Sequence, residues 1–150
     1  WAGADELGSN RNTDAATDAE RDVDQESIVL LGHIDVGGRT DHLFANALLL
    51  AQDTYDDLII DARFGPDLLT VVRARTTLTG APGDLVTLLA VGGTARGVTT
   101  SGLRWQLNSE QLEPGSSRGV SNEMIAAEAV IQIESGVLLT IQPAPIESIR

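Results

Sequence analysis

Cysteine is absent from the 150 residues, and so is lysine. Without cysteine there are no disulfides and no thiolate metal sites. That absence agrees with a cytoplasmic protein in a reducing compartment. Without lysine, all 10 basic residues are arginine, and they are scattered. Against them stand 22 acidic residues, for a formal net charge of −12. Nucleic-acid binding needs Arg or Lys clustered on phosphates, so no nucleic acid is expected as a partner. No apolar run approaches the ~20 residues of a membrane span, and no basic stretch followed by an apolar core marks a secretory signal. No membrane association is therefore expected. Aromatic residues make up only 3%, so each one stands out. The chain opens on Trp1 rather than Met. A fragment, a processed product and a chain whose upstream part is absent all fit that start.

What is present is enough for one domain, or for two small ones sharing a core. Hydrophobic residues make up 42%, an ordinary value for a folded protein. Residues 1–27 are acidic and poor in large apolar side chains, a composition expected of a poorly ordered or truncated segment. Thr17 and Asp18 could open a short helix there. From Ile28 the pattern changes. Ile28–Leu31 reads as a buried strand. Asp41 is placed to cap a helix with Leu43, Phe44, Ala47, Leu48 and Ala51 at helical spacing. Leu58–Ile60 and Leu68–Val72 read as further strands. Strand, loop, helix, strand is the pattern of a βαβ unit on a parallel sheet.

After Arg75 no helical period follows. Short apolar runs alternate with Pro82-Gly83, Gly92-Gly93 and Pro114-Gly115 turns. Ala129, Ile131 and Ile133, a Ser135-Gly136 turn, then Val137, Leu139 and Ile141 read as a hairpin. The expected fold class is thus a partial α/β unit, a parallel-sheet remnant, over residues 28–75. An all-β sandwich follows over residues 76–150, with the boundary near residues 73–76.

Three segments could carry chemistry. Gly37-Gly38-Arg39-Thr40-Asp41-His42 lies between a predicted strand and a predicted helix, where open α/β sheets bind ligands. Glycines admit phosphate oxygens to the backbone, Arg39 could grip a phosphate, and Asp41 could bind magnesium or orient a hydroxyl. A tight turn with an Asp cap and a surface Arg explains the same spacing. The second segment is Gly97-Val-Thr-Thr-Ser-Gly-Leu-Arg-Trp105, the third Gly119-Val-Ser-Asn-Glu123. Trp105 is either a core strand residue or a flat surface for an aromatic or cationic ring. Ser121 and Asn122 either shape a turn or offer donors and acceptors to a heteroaromatic ring. His33 and His42 do not form a metal pattern with the scattered acids.

Taken in order, these motifs and Ser135-Gly-Val-Leu-Leu-Thr-Ile141 resemble the thiamine pyrophosphokinase (thiamine diphosphokinase) family over about Ile28 to Gln142. The resemblance implies an α/β domain followed by a β-sandwich thiamine-binding domain. It also implies a homodimer whose active site, with thiamine in it, is shared between subunits. The implied activity is an ATP-dependent kinase reaction, with magnesium, that gives thiamine diphosphate and AMP. On this reading Gly37 and Gly38 bind phosphate, Arg39 and Asp41 are catalytic, and Asp41 also serves the metal. Ser121, Asn122 and Trp105 bind thiamine. The chain departs from the family pattern upstream. The family's acidic metal-binding segment has no counterpart here, and Asp14 and Ala15 stand where Lys and Asp are expected. A non-catalytic thiamine-binding or dimerising fragment lacking that acidic site is the alternative.

Overall fold

Alternating apolar and polar residues govern most of the chain after residue 58, and the alternating runs become strands in the computed structural model, which describes residues 27–30 and 40–144. The order is β1 (Ser27–Leu30), α1 (Thr40–Leu50), a 3-10 turn (Asp53–Tyr55), β2 (Ile59–Phe64), β3 (Asp67–Val72), β4 (Arg75–Thr79), β5 (Leu85–Ala90), β6 (Ala95–Ser101), β7 (Glu110–Leu112), β8 (Asn122–Glu123), β9 (Glu128–Gln132) and β10 (Leu138–Gln142). They form a six-stranded sheet, β1-β2-β3-β10-β5-β8, and a four-stranded sheet, β4-β9-β6-β7. All pairings are antiparallel except β1 with β2, which α1 connects as one βαβ unit.

The two sheets face each other over the main core. Val72, Val86, Leu88 and Leu138 come from the six-stranded sheet, and Leu78, Val98, Ala129 and Ile131 from the other. Each large side chain buried here contributes roughly 2–3 kcal/mol. The opposite face of the six-stranded sheet carries Ile60, Leu69, Val71 and Leu139, which pack with Leu50 of α1 in a second cluster. The molecule is therefore mostly β, with one helix among the described residues laid on the outer face of one sheet.

Four expectations are corrected. The helix packs through Ala47 and Leu50, and Phe44 and Leu48 stand exposed. Leu43, Ala47 and Leu50 also satisfy helical spacing, so the apolar pattern alone allows more than one stripe. Asp41 lies inside the first turn rather than before it, where its charge favours the helix dipole. The strand over 68–72 is present, but Gly65-Pro66 turns it back antiparallel to β2. The expected hairpin over 129–141 does not form. β9 joins the four-stranded sheet and β10 crosses to the six-stranded one. Both strands alternate because both line the same core, from opposite sides. The chain likewise changes sheet between β3 and β4, at residues 73–74. The expectations for residues 1–26 and 31–39 lie outside the described residues.

Arg73, at that crossing, ties the layers together. Its Nη2 donates to the carbonyls of Leu50 (3.3 Å) and Gln52 (2.8 Å), and its Nε to Asp56 (2.8 Å). The helix has no basic residue in its last turn, so this arginine caps its C-terminal carbonyls from another element.

Candidate functional site

The Gly97–Trp105 segment leaves β6 at Gly102. Its φ is +75°, and a Cβ there would run into the Glu128 carbonyl oxygen and lie 2.9 Å from Ala129 Cα. Only glycine fits this close approach to the neighbouring strand. The turn carries Leu103 into the core, fully buried and bridged to Met124. Arg104 and Trp105 then emerge at the surface. Trp105 is 51% exposed, so of its two readings the core one is set aside.

The Gly119–Glu123 segment runs beside it. Arg118 enters the turn bound to both carboxylate oxygens of Glu110 (2.8 and 3.0 Å), bonds that hold its guanidinium pKa above the ordinary value. Gly119 lies against β5, where its carbonyl accepts from Leu88 N–H at 2.8 Å. Ser121 has a left-handed φ of +56° and donates its N–H to Thr87 Oγ1 at 3.0 Å. Asn122 is buried, and its side chain engages the backbone of Trp105. Oδ1 accepts from Trp105 N–H (3.1 Å) and Glu123 N–H (2.9 Å), and Nδ2 donates to Trp105 O (2.7 Å). Outside this clamp, Arg104 pairs with Glu123 at 3.1 Å and places its guanidinium 5.8 Å from the indole centroid. Ser121, Asn122 and Trp105 are thus brought together as an exposed indole beside an exposed serine, on a buried amide.

Of the phosphate-end residues, Gly37, Gly38 and Arg39 lie outside the described residues. Asp41 is exposed in the first turn of α1. Strand register relates the two halves. Leu30, Ala62, Leu69, Ile141 and Thr87 form one row across the sheet, and Ser121 is bonded to the last of them. The end of β1 and the Ser121 turn therefore sit at the same level on opposite edges. Five strand spacings separate β1 from β8, roughly 24 Å. No three His, Asp or Glu side chains converge as a metal site among the described residues. Magnesium is commonly held by one or two carboxylates together with substrate phosphates, and Asp41 is the carboxylate the expectation places there. A shallow groove of about 370 Å³ lies near Arg73 and Gly136, at the other end of the sheet, and contains none of the expected site residues.

Sequence reasoning missed two contributors. Arg104 lies over the indole and Glu123 pairs with Arg104, and the only signal was their place inside the two motifs.

Residues 73–138 match the family model described as thiamin pyrophosphokinase, vitamin B1 binding domain. The chain is similar to the solved thiamine pyrophosphokinase from Bacillus subtilis, at 19% identity and a TM-score of 0.70, over 80% of this chain and 56% of that one. It is also similar to the thiamin pyrophosphokinase from Geobacillus thermodenitrificans, at 27% identity and a TM-score of 0.67, over 83% of this chain and 57% of that one. The yeast enzyme matches at 18% identity and a TM-score of 0.57, over 76% of this chain and 39% of its own. The chain thus spans little more than half the length of the bacterial structures. No curated protein matches it by sequence.

Proposed function

We propose, from the premise that this chain belongs to the thiamine pyrophosphokinase family, that it serves the transfer of a pyrophosphoryl group from ATP to thiamine. The observation that carries the reading is the match of residues 73–138 to the vitamin B1 binding domain, with Trp105 exposed at the end of its motif. In the reaction the thiamine hydroxyl oxygen bonds to the β-phosphorus of ATP. The bond from that phosphorus to the α-phosphate oxygen breaks, and AMP leaves. The hydroxyl proton needs an acceptor, and Asp41 is the carboxylate assigned to it. Gly37, Gly38 and Arg39 would hold phosphate oxygens. Ser121 would offer its hydroxyl to the thiamine ring system, and the Trp105 face suits a cationic heteroaromatic. Magnesium enters as the counter-ion of ATP, and no step is derived through it.

The proposal includes a homodimer and a cytoplasmic location. The wide separation of the β1 and β8 edges supports a shared site, since thiamine is too short to bridge them within one chain. Leu85, Trp105, Val120 and Ile125 are exposed around the β8 edge, a surface suited to a second copy.

Incubating the protein with thiamine, ATP and magnesium is expected to yield thiamine diphosphate and AMP together, resolved by chromatography. Formation of neither product would sink the transfer reading. Thiamine binding by calorimetry that is indifferent to ATP would then leave the binding module.

A further inference from the structure

We propose that Asn122 is the positioning residue for the Trp105 indole, acting as a peptide unit built from a side chain. The consequence for thiamine rests on the function proposed above; the structural role stands without it. Around the Leu103–Met124 bridge the backbone pairs normally. Ile125 N–H donates to Gly102 O at 2.9 Å, and Arg104 N–H to Glu123 O at 2.8 Å. One step further the pairing ends. Ser121 is left-handed and turns the chain away, and Glu123 N–H goes to Asn122 Oδ1 rather than across to the Arg104 carbonyl. Trp105 is the next residue to be held. Asn122 supplies what the missing strand would have supplied, a carbonyl for Trp105 N–H and an N–H for Trp105 O.

A carboxamide has the donor and acceptor of a peptide group, so the substitution is chemically exact in kind. Three of its four bonding positions are used within the chain, which leaves one N–H for anything else. Asn122 is only 4% exposed, so removing a partner leaves backbone groups without water to replace it. The Arg104–Glu123 pair cannot substitute, because both side chains are partly in solvent and such pairs hold weakly. The asparagine therefore acts on a ligand through Trp105, not by touching it.

A double-mutant cycle tests this. In the full chain, Asn122→Asp keeps the size and the acceptor but sets an oxygen against Trp105 O. Thiamine binding by calorimetry, with ATP and magnesium present, is expected to weaken on the order of tenfold. In a Trp105→Ala background the same change is expected to cost nothing further. Equal losses in both backgrounds would mean that Asn122 touches the ligand, and would overturn the proposal. Two readouts do not depend on thiamine. Trp1→Phe leaves Trp105 as the sole indole, and Asn122→Asp is then expected to raise its quenching by acrylamide. In the unaltered chain, Trp105 N–H is expected to exchange slowly with solvent, and exchange at the free-peptide rate overturns the proposal even if no variant folds. Failure of the unaltered chain to bind thiamine would instead count against the function proposed above, with slow exchange still upholding the structural role.

Discussion

Gly102 shows how much one position decides. Alanine there would carry a left-handed φ and overlap the Glu128 carbonyl. Together these are expected to cost about 2–4 kcal/mol, measured as a lower denaturation midpoint in urea. A change below about 0.5 kcal/mol would mean that the turn relaxes freely. The small residues of both motifs were visible in the sequence as a cluster, but their duties were not. Spacing could not say whether the Asn122 carboxamide faces a ligand or the backbone, since both uses need the same donors and acceptors. It also left Trp105 open between core and surface. Burial decides that, and burial depends on the Gly102 turn sending Leu103 inward and Trp105 outward.

For the elements, the crossing between sheets is where stability can be read. Arg73→Met should uncap α1 by removing the bonds to Leu50 and Gln52 carbonyls. The loss is expected to be about 1–2 kcal/mol, because Met also removes the buried Nη1 that has no partner among the described residues. Asp56→Asn should change stability by less than about 1 kcal/mol, since that carboxylate is largely in solvent. Equal losses in the two variants, followed by chemical denaturation, would shift the weight from the cap to the ion pair. Element type was legible here, because period-two alternation and Gly-Pro punctuation mark strands well. Destination was not. β9 and β10 read as a hairpin because strands on opposing sheets show the same alternation as strands paired side by side. The Phe44 and Leu48 side of α1 misled for a related reason: an apolar face identifies a surface that can pack, not one that does.

On the scale of the whole molecule, the end of β1 and the Ser121 turn lie on opposite edges of one sheet. A shared dimer site makes a strong prediction. Asp41→Ala and Trp105→Ala chains, each expected to be inactive alone, should regain about a quarter of the original rate when mixed and allowed to exchange subunits. Half of the dimers are then hybrids, and each hybrid has one undamaged site. Absence of any recovery, with subunit exchange verified, would place the site within a single chain. Order of motifs made the resemblance legible, but the separation of β1 from the Ser121 turn depends on β10 inserting between β3 and β5.

That insertion also sets when the protein can be completed. β10 pairs with Leu68–Val72 on one side and with Thr87–Ala90 on the other, and it follows both of them in chain order. During synthesis the strands on its two flanks emerge first and must wait, with their inner edges open, until β10 leaves the ribosome. The six-stranded sheet therefore closes from its middle, late and in one step. Any delay in translating the residues between β5 and β10 prolongs the interval in which those edges can pair with the wrong neighbour.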